Sequence, residues 1–291
     1  MPTLLDFRRR IRSVKNTQQI TRAMKFVAAA RLRRAQEAAL AARPYAKELA
    51  RVLRSTMSRI VEPKHPLLAW RPEEKILALV LTGERGLAGA FNTNILRKAN
   101  EFFRANKGKK VFVIPVGKKG RDSLRKAGFN IIAEYINVLA RVEFATARET
   151  ANLVTDLYSK GDVDSVYIAF SEFKTVMSAN LALEKLLPVE TIRADEESKE
   201  EQASSQVDYI YEQPAEQLLD RLLPRYVETQ ILRAMLESSA AEHAARMTAM
   251  ESATKNAGDV IEALTLHMNK VRQAAITKEI IEIVSGASST T

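Results

Sequence analysis

The chain has 291 residues, a formal net charge of +10 and a pI near 9.7, and it is 46% hydrophobic, 27% charged and only 6% aromatic. That balance fits a folded, soluble chain whose apolar content is aliphatic and alanine-rich, which favours helices. It has no cysteine, so disulfides, thiol switches and cysteine metal sites are excluded; His65, His243 and His267 make no metal-ligand spacing; and no apolar run approaches the roughly eighteen residues of a membrane span.

The first element, residues 1–62, reads as one helix. Stepping alternately by three and four residues gives Leu4, Phe7, Ile11, Val14, Gln18, Thr21, Lys25, Ala28, Leu32, Ala35, Ala39, Ala42, Ala46, Leu49, Leu53, Thr56 and Ile60. Thirteen of these seventeen are apolar, which is a coiled-coil seam. The polar positions cluster at Gln18, Thr21 and Lys25, where an apolar stripe at Ile20, Met24 and Val27 predicts a local change of contact face. Pro44 predicts a kink, and Pro63 and Pro66 end the helix. Residues 1–60 carry 15 Lys/Arg against 3 Asp/Glu, whereas 61–224 carry 23 against 24 and 225–291 carry 7 against 8. The whole positive excess therefore sits on this helix and calls for an acidic partner. No apolar core follows the opening arginines, so a secretory signal is not expected. The heptads begin at Leu4, so the arginines read as part of the mature helix rather than a transit peptide.

The middle, 75–212, alternates β-type runs at 76–82, 111–116, 131–136, 165–170 and 207–211 with helical stretches at 94–106, 118–127 and 143–160. This order predicts an open, mainly parallel α/β (Rossmann-like) sheet. The acidic, polar stretch 194–206 predicts an exposed excursion. Glycines at 83, 86 and 89 follow the first strand but do not form GxGxxG, and no GxxxxGK[ST] occurs. Gly117 and Gly120 after the second strand are equally incomplete. Tight strand-to-helix turns explain these glycines better than a nucleotide site.

The last segment, 214–291, is interrupted at Pro224. From 225 to 284 it holds no proline and one glycine, Gly258. Its seam is Leu236, Ala240, His243, Met247, Met250, Thr254, Ala257, Ile261, Leu264, Met268, Val271 and Ala275, ten of twelve apolar at a 3.5-residue period. Sixty helical residues span roughly 90 Å, against a diameter of about 50 Å for a compact chain of this size. Such a helix must project and be surrounded by something else. The economical arrangement pairs the two terminal helices antiparallel, with alanines letting the backbones approach. Beyond Ala275, Ile276, Ile280, Ile281, Ile283 and Val284 put apolar groups on more than one face, which predicts an apolar sleeve made by other chains.

Four stretches together are specific: ITRAMKFVAAA at 20–30, RGLAGAFN at 85–92, EHAARMTAM at 242–250 and RQAAITKEIIEIVSG at 272–286. They resemble the gamma subunit of the F-type ATP synthase, and the similarity runs from the first helix to the last turn. The resemblance implies a central rotor stalk: an antiparallel coiled coil inside a hexamer of alpha and beta subunits, with the α/β domain against the epsilon subunit and the c-subunit ring. It implies no catalytic residue, cofactor, metal, nucleic acid or direct membrane insertion, because ATP is made on the beta subunits. By motif, Met24 and Lys25 would lie near acidic beta-subunit loops. Arg272, Gln273, Thr277 and Glu279 would meet loops lining the hexamer bore, and the apolar tip would run in a bearing. The two-cysteine regulatory insertion of chloroplast members, and its thiol control, should be absent. Ala88 stands where many members have cysteine. A bacterial chain on the cytoplasmic face of the inner membrane is the simplest expectation. The alternative is a basic coiled-coil protein that binds nucleic acid. Against it, the arginine runs have few interleaved aromatics for base stacking.

Overall fold

The computed structural model describes residues 3–57, 60, 65–189 and 214–288, so the expected run at 207–211 and the excursion at 194–206 lie outside the described residues. Helix α1 (Leu4–Met57) leads to a short 3-10 turn at Pro66–Leu68. Strand β1 (Lys75–Leu81), helix α2 (Phe91–Ala105), β2 (Lys110–Val116), α3 (Lys118–Lys126), β3 (Asn130–Ile131), α4 (Phe144–Lys160), β4 (Ser165–Phe173) and β5 (Ala179–Leu187) follow. Helix α5 (Ala215–Ser288) closes the order. Pro44 lies inside α1, as its place in the heptad pattern implies, and α5 is continuous through Pro224, where an interruption was expected.

By contact the chain forms two compact units that cut across the helices. One joins Met1–Ala28 with Arg246–Thr291, and the other is Ala29–Ala245.

In the second unit the five strands lie in the order β3-β2-β1-β4-β5. β1 runs parallel to β2 and β4, β2 parallel to β3, and β5 antiparallel to β4. The sheet is therefore mainly parallel and open, as expected, with an antiparallel edge. Central β1 is buried on both faces from Ile76 to Leu81, which is what covered parallel sheets require. Its Leu77, Leu79 and Leu81 join one core with Ala147, Ala151, Val154 and Tyr158 of α4, Leu53 and Met57 of α1, and Leu219, Leu223, Val227 and Ile231 of α5. Helix α2 also packs on β1 and buries Ile95, Ala99 and Phe103. The roots of both terminal helices are thus part of the sheet's own hydrophobic core.

Two strands differ from expectation. β3 is only Asn130–Ile131, not 131–136. Hydrogen bonding continues irregularly past it, from the Ile132 N–H to the Val113 carbonyl at 3.2 Å and from the Tyr135 N–H to Pro115 at 3.0 Å. Pro115 of β2 has no N–H to return, so a regular ladder cannot form there. β5 was not expected at all. Its sequence, ANLALEKLL, is built mostly from helix formers, and pairing along the whole edge of β4 overrides that preference.

Candidate functional site

In the first unit α1 and α5 run antiparallel, and their cross-contacts fix one register. Phe7 and His267 stack with ring centroids 5.0 Å apart. The Thr21 and Thr254 hydroxyls are 2.8 Å apart, the Gln18 amide reaches the Thr254 carbonyl at 3.4 Å, and Lys25 Nζ lies 2.5 Å from Glu251 Oε1. Gly258 sits opposite Gln18, where an added Cβ would approach the amide nitrogen to 3.2 Å. Every seam position of α1 from Leu4 to Thr56 is buried or half-buried.

The expected change of face at 18–25 does not occur. Ile20 and Val27 are 59% and 54% exposed, while Thr21 is buried. The polar α1 residues keep their place in the seam because α5 answers them with Thr254 and Glu251. Met24 is half-buried. Lys25, a residue expected to meet acidic loops, is already paired within the chain. That pair is partly exposed and contributes only about 0–1 kcal/mol, so its ammonium can exchange Glu251 for another carboxylate at small cost. Arg8, Arg9, Arg10, Arg12, Lys15 and Arg22 are exposed beside the seam. The helix start is capped reciprocally: the Thr3 N–H and hydroxyl donate to Asp6 Oδ2 at 2.9 and 2.8 Å, and the Asp6 N–H donates to Thr3 Oγ1 at 3.3 Å.

The seam of α5 reaches Val271, which is half-buried, and the register sets it near Leu4 at the start of α1. Every described side chain from Arg272 to Ser285 is exposed, including Arg272, Gln273, Thr277 and Glu279, and also Ala275, the last expected seam residue. This stretch is roughly 21 Å of helix. Ile276, Ile280, Ile281, Ile283 and Val284 are between 49% and 71% exposed. At about 100° per residue they cover roughly 160° of the circumference, broader than a two-helix seam uses.

In the second unit the carboxyl ends of β1 and β4 form the place where doubly wound sheets bind nucleotides. Here the chain fills it. The Ser171 N–H donates to Ser238 Oγ at 3.2 Å, and the Glu242 carboxylate lies against Gly83, where a Cβ would come within 2.6 Å of it. The loop is held by its own side chains: the Gly83 N–H donates to Asn92 Oδ1 at 2.7 Å, and the Lys118 N–H, opening α3, donates to Glu84 Oε2 at 3.0 Å. A carboxylate of the chain thus occupies the helix N-terminus that would otherwise attract phosphate. A concavity of about 700 Å³ lies at the amino end of β2, lined by Phe103, Arg104, Lys107 and Lys110. Two of those cations flank the C-terminus of α2, where the helix dipole favours positive charge.

An ionic cluster not evident in the sequence joins a half-exposed arginine, Arg43, to a buried carboxylate. Glu237, with its side chain 2% exposed, accepts from Arg43 Nε at 2.8 Å and Arg43 Nη2 at 3.0 Å. It also accepts from the Phe173 N–H at 3.1 Å, and Arg43 Nη2 donates to the Phe173 carbonyl at 2.9 Å. The available signal was positional: Arg43 follows seam residue Ala42 and Glu237 follows Leu236, flanking sites where opposite charges meet across a helical pair. Among the described residues no group of His, Asp and Glu could hold a metal ion, and no helix is long and apolar enough to cross a membrane.

Comparison with known proteins agrees with this architecture. A family described as ATP synthase matches residues 3–290. The ATP synthase gamma chain of Solibacter usitatus is 49% identical over 292 residues, covering 99% of both chains. That of Desulforamulus reducens is 48% identical over 288 residues, again covering 99% of both. Among solved structures, a chain of the Euglena gracilis mitochondrial ATP synthase (OSCP/F1/c-ring, rotational state 3) has the same fold. Its TM-score is 0.68 at 20% identity, covering 99% of this chain and 94% of that one. A chain of the Tetrahymena thermophila mitochondrial central stalk and c-ring gives 0.60 at 24% identity, covering 80% and 99%. A near-complete match in sequence places the chain in the ATP synthase gamma chain family.

Proposed function

We propose that the chain is the central rotor stalk of a proton-translocating synthase, coupling rotation of a c-subunit ring to the nucleotide-binding cycle of three beta subunits. As a gamma subunit it is a non-catalytic part of the complex. The relatives lend no support to the nucleic-acid-binding alternative. The observation that carries the finer reading is the end of α5, where fourteen residues from Arg272 to Ser285 are exposed while five of them are large and aliphatic. An apolar surface of that breadth is covered in the working state, and a hexamer of alpha and beta subunits supplies a cover on all sides.

In this reading Arg272, Gln273, Thr277 and Glu279 meet the loops of the bore, and Ile276, Ile280, Ile281, Ile283 and Val284 turn in an apolar bearing. Met24 and Lys25 meet acidic beta-subunit loops, with the exposed arginines of α1 adding to the attraction. The sheet unit meets the epsilon subunit and the c-ring, peripherally, on the cytoplasmic face of a bacterial inner membrane. The mechanism needs no chemistry on the stalk. A pair of unlike helices presents a different face in each direction, so three identical beta subunits meet three environments, and differential contact is what shifts a conformational equilibrium.

The test is reconstitution. Alpha and beta subunits mixed with this chain are expected to form a complex that hydrolyses ATP continuously and cooperatively. Failure of the three to assemble would remove the reading.

A further inference from the structure

We propose that Arg43 and Glu237, closed onto the Phe173 backbone, form the key that fixes α1 and α5 against each other and against the sheet in rotation and register, and so act as positioning residues for torque transmission. The inference rests on the stalk role proposed above.

Three elements meet in this cluster: α1 gives Arg43, α5 gives Glu237, and the end of β4 gives both backbone groups of Phe173. Both guanidinium–carboxylate contacts are parallel, and the same guanidinium reaches the strand carbonyl. A fork of this kind tolerates little rotation about either helix axis. Of the contacts around it, the bonds from the Ser171 N–H to Ser238 Oγ at 3.2 Å and from Ser239 Oγ to the Leu139 carbonyl at 2.8 Å are also directional, but they tie α5 to the sheet unit and do not reach α1. Near this level the seam of α1 is Ala35, Ala39, Ala42 and Ala46, all buried or half-buried, and α5 buries Ala240, Ala241 and Ala244. Small side chains allow close approach but offer short knobs, and apolar contact is not directional. The larger core residues, Leu53 and Met57 against Leu219 and Leu223, resist separation of the helices from the sheet. They do little against a small screw of one helix on the other. A shaft under load meets that screw component, and at this level the keyed pair is a directional link between the two helices that opposes it.

The experiment uses the whole synthase in inverted membrane vesicles, reading ATP hydrolysis and ATP-driven proton pumping together as the opposing proton gradient grows. Arg43→Gln and Glu237→Gln are expected to assemble and hydrolyse near the parent rate, yet to hold a steady gradient several-fold smaller. Arg43→Lys should lie between, because it keeps the charge and loses the fork. Removing Arg43 leaves the buried Glu237 carboxylate without its cation, which can harm folding by itself. The double change Arg43→Met with Glu237→Met removes both charges at once and is expected to match the parent in thermal stability. It should still leak under load while pumping normally at low load. Pumping equal to the parent at every gradient in the double variant would overturn the inference. So would a parallel fall of assembly, hydrolysis and pumping with an unchanged ratio between them, since that marks a merely structural pair. Failure of the stalk role itself would look different: the unaltered chain would support no coupled pumping at all.

Discussion

Glu73, just ahead of β1, shows how single side chains tie the sheet unit together. It accepts from Lys109 Nζ at 3.0 Å and from the Tyr167 hydroxyl at 2.9 Å, and pairs with Lys185 at 3.1 Å. Burial alone would raise its pKa, but the hydrogen bonds from Lys109, Lys185 and Tyr167 outweigh it and hold the carboxyl below the usual range. A depressed folded value means that the stabilisation is complete above the unfolded value, about 4.3. It is lost as pH falls through the lower folded value. Glu73→Gln is therefore expected to lower the urea midpoint at neutral pH and to converge on the parent in acid, with a flatter acid limb. A constant difference at every pH would contradict this. None of it was legible in the sequence, since the three partners come from just ahead of β2, from β4 and from β5. Gly117 was half legible. Its turn was expected, but the reason that glycine is needed lies across the sheet: at φ +106° a Cβ would sit 1.9 Å from the Thr82 carbonyl.

Periodicity carried the helices further than the strands. The α1 seam holds from Leu4 to Thr56, with Ile60 beyond the end of the helix, and Gln18, Thr21 and Lys25 belong to it rather than departing from it. Their partners lie more than 220 residues away, so a one-helix pattern could not show that the polar groups are matched. Buried polar groups within a seam fix register at a cost in stability. The Thr21 and Thr254 hydroxyls, 2.8 Å apart, are placed to do so. Replacing both by Val is expected to raise the melting temperature of the helical pair. It should also broaden the distance distribution between spin labels placed on the two helices, which electron–electron resonance reads directly. A distribution as narrow as the parent's would assign the register to the apolar contacts instead. β5 was missed for the opposite reason: its composition argues for helix, and only the open edge of β4 makes it a strand.

At the scale of the whole molecule, the sheet and its helices share one core. Leu53 and Met57 come from the first helix, and Leu219, Leu223, Val227 and Ile231 from the last, around the central strands. The exposed end of α5 contributes nothing to it. Deleting residues 276–291 is therefore expected to weaken association with alpha and beta subunits while leaving the denaturation of the sheet unit unchanged. Equal loss of both would contradict the sleeve argument. The motifs at both chain ends made the family legible, and the seams made the pairing legible. The filled crevice at Gly83 and the Arg43–Glu237 cluster were not, because each depends on where α5 crosses the sheet.

The register that sets Thr21 opposite Thr254 also orders events during synthesis. The first helix leaves the ribosome with its apolar seam bare, and the matching half of α5 is made more than 220 residues later. At about 5–20 residues per second that is a delay of roughly 12–47 s. Through that interval the amino-terminal helix depends on its alanines and its dense positive charge to stay soluble. The sheet unit's core takes in Leu53 and Met57 of α1 and Leu219 and Leu223 of α5, so once it has folded the chain left to close between the two helices is short instead of very long.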